Sequence, residues 1–273
     1  MRLARRIKKF WVFFSSYWLE DTRHVFDLFA RYVYIFFVCL IYRFLFQAAL
    51  YARHIQLDGF SMPYPVFLVS GLAMLHFISL AVKVVEDTLL SLGKSDLTEW
   101  VLISHSSFWE LFTTRAFIYF FLGLTEFGAY IFFSHWLVGV PLRPFFSPML
   151  FLIMLAVFLI YMSIGALISC VALIFRKGHS LFTLVNHLSL VFGGIFFPIQ
   201  LFPGPLKTVA EMMPITHGLK LTRHLLAGLS VDDTYALTAL LGLTAILGLL
   251  LVSIFFKQSL IYAKKNDLLI NEN

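Results

Sequence analysis

Residues 145–175 read FFSPMLFLIMLAVFLIYMSIGALISCVALIF, without one Asp, Glu, Lys or Arg. An α-helix needs about 20 apolar residues to cross the roughly 30 Å hydrocarbon core of a bilayer. This stretch exceeds that length and crosses with tilt. Arg176 and Lys177 close it. The rest of the chain has the same character: of 273 residues, 60% are hydrophobic and 13% charged, with mean hydropathy +0.87. A soluble domain carries about 25% charged residues, so this chain lacks the polar surface to face water on all sides. The fold class is all-α and integral to a membrane.

Working outward, five further apolar stretches are expected to be helices. The first, 28–51, holds Arg31 and Arg43. The second, 63–85, contains His76 and ends at Lys83, and 108–133 carries Glu110, Arg115 and Glu126. A fifth begins near Leu181 and is interrupted at Phe197-Pro198, and the sixth covers 235–256, followed by Lys257, Lys264 and Lys265. Six spans put both ends on one side. With that side cytoplasmic, fourteen Lys and Arg fall inside and five outside, as the positive-inside rule requires. The net acidic loop 86–107 does not contribute to that bias.

Residues 1–27 are basic and aromatic, from Arg2, Arg5 and Arg6 to Trp11 and Trp18, and then run into Glu20, Asp21 and Arg23. A cleaved signal has a clean apolar core and a small-residue cleavage site. An amphipathic helix lying on the cytoplasmic membrane face fits better. The tail 257–273 is expected in the cytoplasm. Residues 198–228 are broken by Pro198, Pro203, Pro205 and Pro214, while Leu206, Val209, Met213, Leu219, Thr222, Leu225 and Leu226 keep helical spacing. Short re-entrant helices, buried against the bundle to satisfy their backbone, are expected there. An external loop with two surface helices is the alternative. In the re-entrant reading Gly204 and Gly218 sit at the turns, and Lys207, Glu211, Lys220 and Arg223 face an outer aqueous vestibule or each other.

Few residues suggest chemistry. Gly93-Lys94-Ser95 imitates the end of a phosphate-binding loop, but the glycine required five residues earlier is Thr88, so ATP is not bound here. The nine histidines form no ligand cluster, and Cys39 and Cys170 read as small buried hydrophobes. No metal, cofactor or nucleic acid is implied. Arg43, His76 and Glu126 remain as intramembrane polar groups, each costing on the order of 3 kcal/mol at mid-depth unless paired or facing a cavity. Arg43 and Glu126 are candidates to pair, or Arg43 snorkels outward.

The arrangement resembles the ABC-2 type permeases, the membrane subunits of ABC exporters. Three places carry the likeness: the basic helix before the first span; the loop Leu97-Thr98-Glu99-Trp100-Val101-Leu102-Ile103-Ser104; and Gly193-Gly194-Ile195-Phe196-Phe197-Pro198 with Leu201-Phe202-Pro203, Met213-Pro214 and Arg223-His224-Leu225-Leu226-Ala227-Gly228. The chain departs from the family pattern at Ser95-Asp96 and at His105. The resemblance implies a six-span domain over 28–256, a permease homodimer, and two copies of a separate ATP-binding subunit that carries ATP and magnesium. It implies a coupling helix within 86–107, where Leu97, Glu99, Trp100 and Leu102 touch the ATPase, although Trp100 also fits a membrane-interface anchor. Arg43, His76, Glu126, Phe197, Pro198 and Arg223 are then candidates for the substrate path or its gate. The implied function is export of a drug-like molecule, a lipid or a lipid-linked glycan across a bacterial inner membrane. The competing class is an integral-membrane enzyme acting on lipid or glycan.

Overall fold

The computed structural model describes residues 25–45, 54–57, 60–92, 108–140, 147–175, 179–227 and 232–265. The expected interfacial helix, the coupling residues Leu97, Glu99, Trp100 and Leu102, and the tail beyond Lys265 lie outside these residues. The described chain folds as eight helices: α1 Val25–Leu45, α2 Tyr64–Leu92, α3 Phe108–Val138, α4 Pro148–Phe175, α5 His179–Phe192, α6 Gly204–Met212, α7 Pro214–Leu226 and α8 Asp232–Lys265. A short antiparallel hairpin, β1 His54–Leu57 with β2 Phe60–Pro63, leads into α2 and pairs Ile55 with Met62 and Gln56 with Ser61. The hairpin is an addition to the expected all-helical fold.

Among the described residues three helices are long and apolar enough to cross a membrane: Tyr64–Thr88 in α2, Phe112–Val138 in α3 and Pro148–Val171 in α4. The apolar parts of α5 and α8, Ser180–Phe192 and Ala236–Val252, are shorter. At 14 residues α5 rises about 21 Å, less than the bilayer core, because the chain turns at Gly193-Gly194 before the expected break at Phe197-Pro198. α2 continues through Glu86 and Asp87 to Leu92, so the loop expected from residue 86 begins later.

Side-chain contacts fix the helix directions. Arg31 meets Glu126 and Cys39 meets Ser134, so numbers rise together and α1 runs parallel to α3. His76 meets Glu126 while Asp87 meets Tyr119, so α2 runs opposite to α3. Phe77 packs on Phe158 and Val85 on Gly165, so α2 and α4 are parallel. This is the alternation that successive crossings produce. α2 sits at the centre, touching α3, α4, α5 and α7, while α8 packs on α4. Phe67, Phe77 and Ile78 of α2, Ile118 of α3, and Ile153, Phe158 and Tyr161 of α4 are essentially inaccessible.

Helices in an apolar solvent gain little from hiding apolar surface, so close backbone approach through small residues holds them together. At Gly71, a Cβ would lie 2.9 Å from Ile195 Cγ2 and 3.1 Å from its Cα and carbonyl oxygen. Part of that obstruction is backbone and has nowhere to go. Gly71→Val is therefore expected to lower stability by about 1–3 kcal/mol through overpacking. Gly128→Val, on an open face with nothing within 4 Å, should leave it nearly unchanged. Thermal unfolding of the two full-length variants in the same detergent checks the contrast.

Candidate functional sites within the bundle

The first site is a charge cluster where α1, α2 and α3 meet. Glu126 is 1% exposed. Arg31 Nη1 donates to its Oε1 at 3.3 Å, and His76 Nε2 lies 2.7 Å from Oε2, close enough for an ion pair though Oε2 has no aligned hydrogen-bond donor. His76 stands at the middle of the apolar stretch of α2. Around the cluster, the Tyr32 hydroxyl contacts Thr125 Oγ1 at 3.0 Å, and the Cys39 thiol lies 3.6 Å from Ser134 Oγ. The arrangement neutralises a carboxylate that lipid would exclude.

One expectation changes here. The partner of Glu126 is Arg31, not Arg43. Glu126 lies level with the start of α1, whereas Arg43 lies in that helix's last turn, some 18 Å further along. Asp27 in the first turn and Arg43 in the last both suit the helix dipole. Arg31, counted in sequence as a residue near the start of a span, is the site residue that was missed. Its spacing to Glu126 follows from the parallel packing of two helices, and no motif encodes that.

The second site surrounds Arg223, which is 5% exposed rather than in an aqueous vestibule. Its Nη1 donates to the Gly194 carbonyl at 3.0 Å, its Nη2 to the Phe67 carbonyl at 3.0 Å, and its Nε to Ser70 Oγ at 3.4 Å. The guanidinium carbon lies 3.5 Å from the centroid of the Phe67 ring. The partners are two carbonyls, a hydroxyl and a π face. The planar fork of arginine serves all of them at once, tying α7 to the first turns of α2 and to the turn after α5.

That turn is built by sequence. Gly193 donates its amide to the Ser189 carbonyl, and Gly194 adopts φ +69°, a left-handed conformation that side-chain-bearing residues avoid. Its carbonyl thereby reaches Arg223. Pro198 is buried and opens a 3₁₀ turn at Ile199–Leu201, while Phe197 is exposed. Pro205 and Pro214 occupy the first turns of α6 and α7, where a missing N–H has no intrahelical partner to lose. Two short helices therefore form as expected. Gly204 does start α6, but Gly218 lies inside α7, where a Cβ would come within 2.6 Å of Val157 Cγ2. Lys207 and Glu211 pair at 3.8 Å on the exposed face of α6, and Lys220 is also exposed.

A third cluster joins the far ends of α2 and α3. The Tyr119 hydroxyl donates to Asp87 Oδ2 at 2.5 Å, and Arg115 Nη1 to the Asp87 carbonyl at 3.2 Å. Among the described residues no group of His, Cys, Asp and Glu has the arrangement of a metal site.

Long apolar helices with ionised groups held inside the bundle define a multi-pass membrane protein. The sequence model of the ABC-2 type transporter family matches residues 8–227, and the chain belongs to that family. It is the membrane component of a transporter and not itself a catalytic chain. No curated protein sequence matches the chain.

Arg223→Met would leave the buried Gly194 carbonyl without its donor, whereas the Phe67 carbonyl keeps Ser70 Oγ at 2.9 Å. A loss of about 1–3 kcal/mol is expected. Arg223→Lys should recover only part of it, since one ammonium cannot reach both carbonyls. Lys220→Met, one turn away and exposed, serves as control in thermal unfolding of the purified chain.

Proposed function

We propose that the chain is the permease of an ATP-driven exporter that moves an amphipathic substrate out of the cytoplasm or the inner leaflet of a bacterial inner membrane. Family membership supplies the transport role. The observation that carries the rest is the Glu126 cluster: a carboxylate at 1% exposure, midway through an apolar bundle, held by groups from two other helices. Ionised groups at that depth mark a path or the element that opens it more often than they serve packing.

In this reading the chain makes six crossings with both ends cytoplasmic, α1, α2, α3, α4 and α8 being five of them. The sixth is α5 completed by the turn after it. The short helices α6 and α7 then dip from the outer face. Arg223 locks α7 and the Gly194 turn to the outer end of α2, so this contact, with Phe197 and Pro198 beside it, is the outer gate. The permease works as a homodimer with two copies of a separate ATP-binding subunit, which carries ATP and magnesium. Residues 93–107 at the other end of α2 engage that subunit, with Leu97, Glu99, Trp100 and Leu102 in contact. The Asp87–Tyr119–Arg115 cluster joins α2 to α3 just before this segment. Movement there travels along one helix, about 26 Å from Asp87 to Ser70, to reach the Arg223 contact.

Two measurements test the reading. Trp100→Ala is expected to lower substrate-stimulated ATP hydrolysis by the assembled complex at least several-fold while the permease remains in the membrane at normal level. Full stimulation in that variant would remove the loop from the coupling role. Single cysteines at Lys8 and Lys265 should label only from the cytoplasmic side. Labelling of either from outside would contradict the six-span topology.

A further inference from the structure

α3 and α4 follow one another in the chain and both pack along α2, yet among the described residues they make little backbone contact with each other. The gap between them is a cleft. Its first cavity, of about 600 Å³, lies between one face of α3, over residues 112–121, and one face of α4, over residues 151–166, with Leu249 and Val252 of α8 along one side. A second cavity of about 600 Å³ continues the cleft past Phe151, between residues 124–132 of α3 and 148–154 of α4.

The rings of Phe120 and Phe158 form the floor of the first cavity, 5.2 Å apart, and Phe120 also reaches Phe77 of α2 at 5.8 Å. Both floor rings are buried. The rim is exposed, and it too is aromatic: Phe117, Phe121 and Phe151. The lining of the two cavities holds no Asp, Glu, Lys, Arg or His, and its hydroxyls, Thr113 and Ser147, stand at the two ends. Glu126 is on the far side of α3 from Leu124 and Gly128, which line the cleft two residues to either side of it, so the cleft is separate from the charge cluster. An empty apolar cleft forfeits the dispersion contacts of its lining.

We infer that the first cavity is an acyl-chain site, in which one hydrocarbon chain of a membrane lipid lies lengthwise between α3, α4 and α8 and supplies the packing that these helices lack. The fit is one of shape. From Phe151 to Ala166 α4 rises about 22 Å, so the volume gives a mean cross-section of about 27 Å². That admits a single extended hydrocarbon chain, whereas a helix about 10 Å across needs about three times as much. With about 30 Å³ to a methylene, close to the volume of a water molecule, the cavity takes on the order of 20 carbons, the size of a membrane acyl chain. A polar ligand would find no group to orient it. The exposed rim lies on two helices long enough to span the bilayer, so a lipid chain enters without leaving the membrane. A chain bound there stabilises the folded bundle by mass action whatever the permease carries, and the site does not depend on the exporter reading.

The test uses the full-length permease in phosphatidylcholine vesicles that contain a phosphatidylcholine with a photoactivatable diazirine on a palmitoyl-length chain. After illumination and digestion, adducts are mapped by mass spectrometry. Phe117, Phe151 and Leu155 of the cleft are expected to carry at least fivefold more label than Leu243 and Leu247, exposed leucines of α8 that report ordinary bilayer contact. Labelling of the cleft should saturate as the probe fraction rises. Ala116→Phe, which fills the cavity, should cut cleft labelling at least threefold and leave α8 unchanged. If that variant does not accumulate, the wild-type ratio decides alone. Equal labelling of both faces, rising linearly with the probe, would mean passing bilayer lipid only and overturn the site. A disulfide between two copies at Phe117→Cys, with no label in the cleft, would make the face a subunit contact and also overturn it.

Discussion

Glu126 is held from two sides, with Arg31 of α1 at 3.3 Å and His76 of α2 at 2.7 Å. Inside an apolar bundle no water offers an ionised carboxylate a substitute for those partners, so its charge fixes where three helices meet. The neighbouring contacts follow from that register. Tyr32 reaches Thr125, Phe36 packs edge-on against Phe133, and Cys39 reaches Ser134. α1 is placed by this seam, since its opposite face shows mainly aromatic and aliphatic side chains such as Phe29, Phe37 and Phe44.

The same constraint acts at Arg223 with a different solution. There the charge is spread over two carbonyls, a hydroxyl and an aromatic face, and three segments distant in sequence are joined. Both solutions use α2. Phe67 and Ser70 serve Arg223, His76 serves Glu126, and Asp87 serves Tyr119 and Arg115. One helix thus carries a contact to each moving part of the proposed transporter, spaced over roughly 17 residues or about 26 Å. The remaining sides of α2 are packed closely, with Gly71 against Ile195 and Phe77 against Gly123, so a displacement at one end cannot be absorbed locally.

Much of this was legible in the sequence because a bilayer imposes simple rules. Uncharged stretches such as 145–175 must be helices, and prolines at 205 and 214 must begin helices or end them. The break expected at Phe197-Pro198 comes sooner, at Gly193-Gly194, where a left-handed glycine follows the end of α5. What failed was pairing. Arg43 and Arg31 look equivalent in sequence, and only the parallel packing of α1 on α3 brings Arg31 to Glu126. Arg223 was expected to face an outer vestibule or its charged neighbours, because lipid exposure of a charge is costly. Its burial depends on a left-handed carbonyl at Gly194 and on the Phe67 ring, 29 and 156 residues away.

The account turns on Glu126 and Arg31 acting as one unit. A double-mutant cycle with Arg31→Met, Glu126→Gln and both together, read as thermal unfolding of the full-length permease, measures that directly. Coupled partners predict that the double variant is about 1–3 kcal/mol more stable than the sum of the single losses. Strict additivity of the two losses would show that the pair does not interact, and the bundle would then need another explanation for how α1 is held.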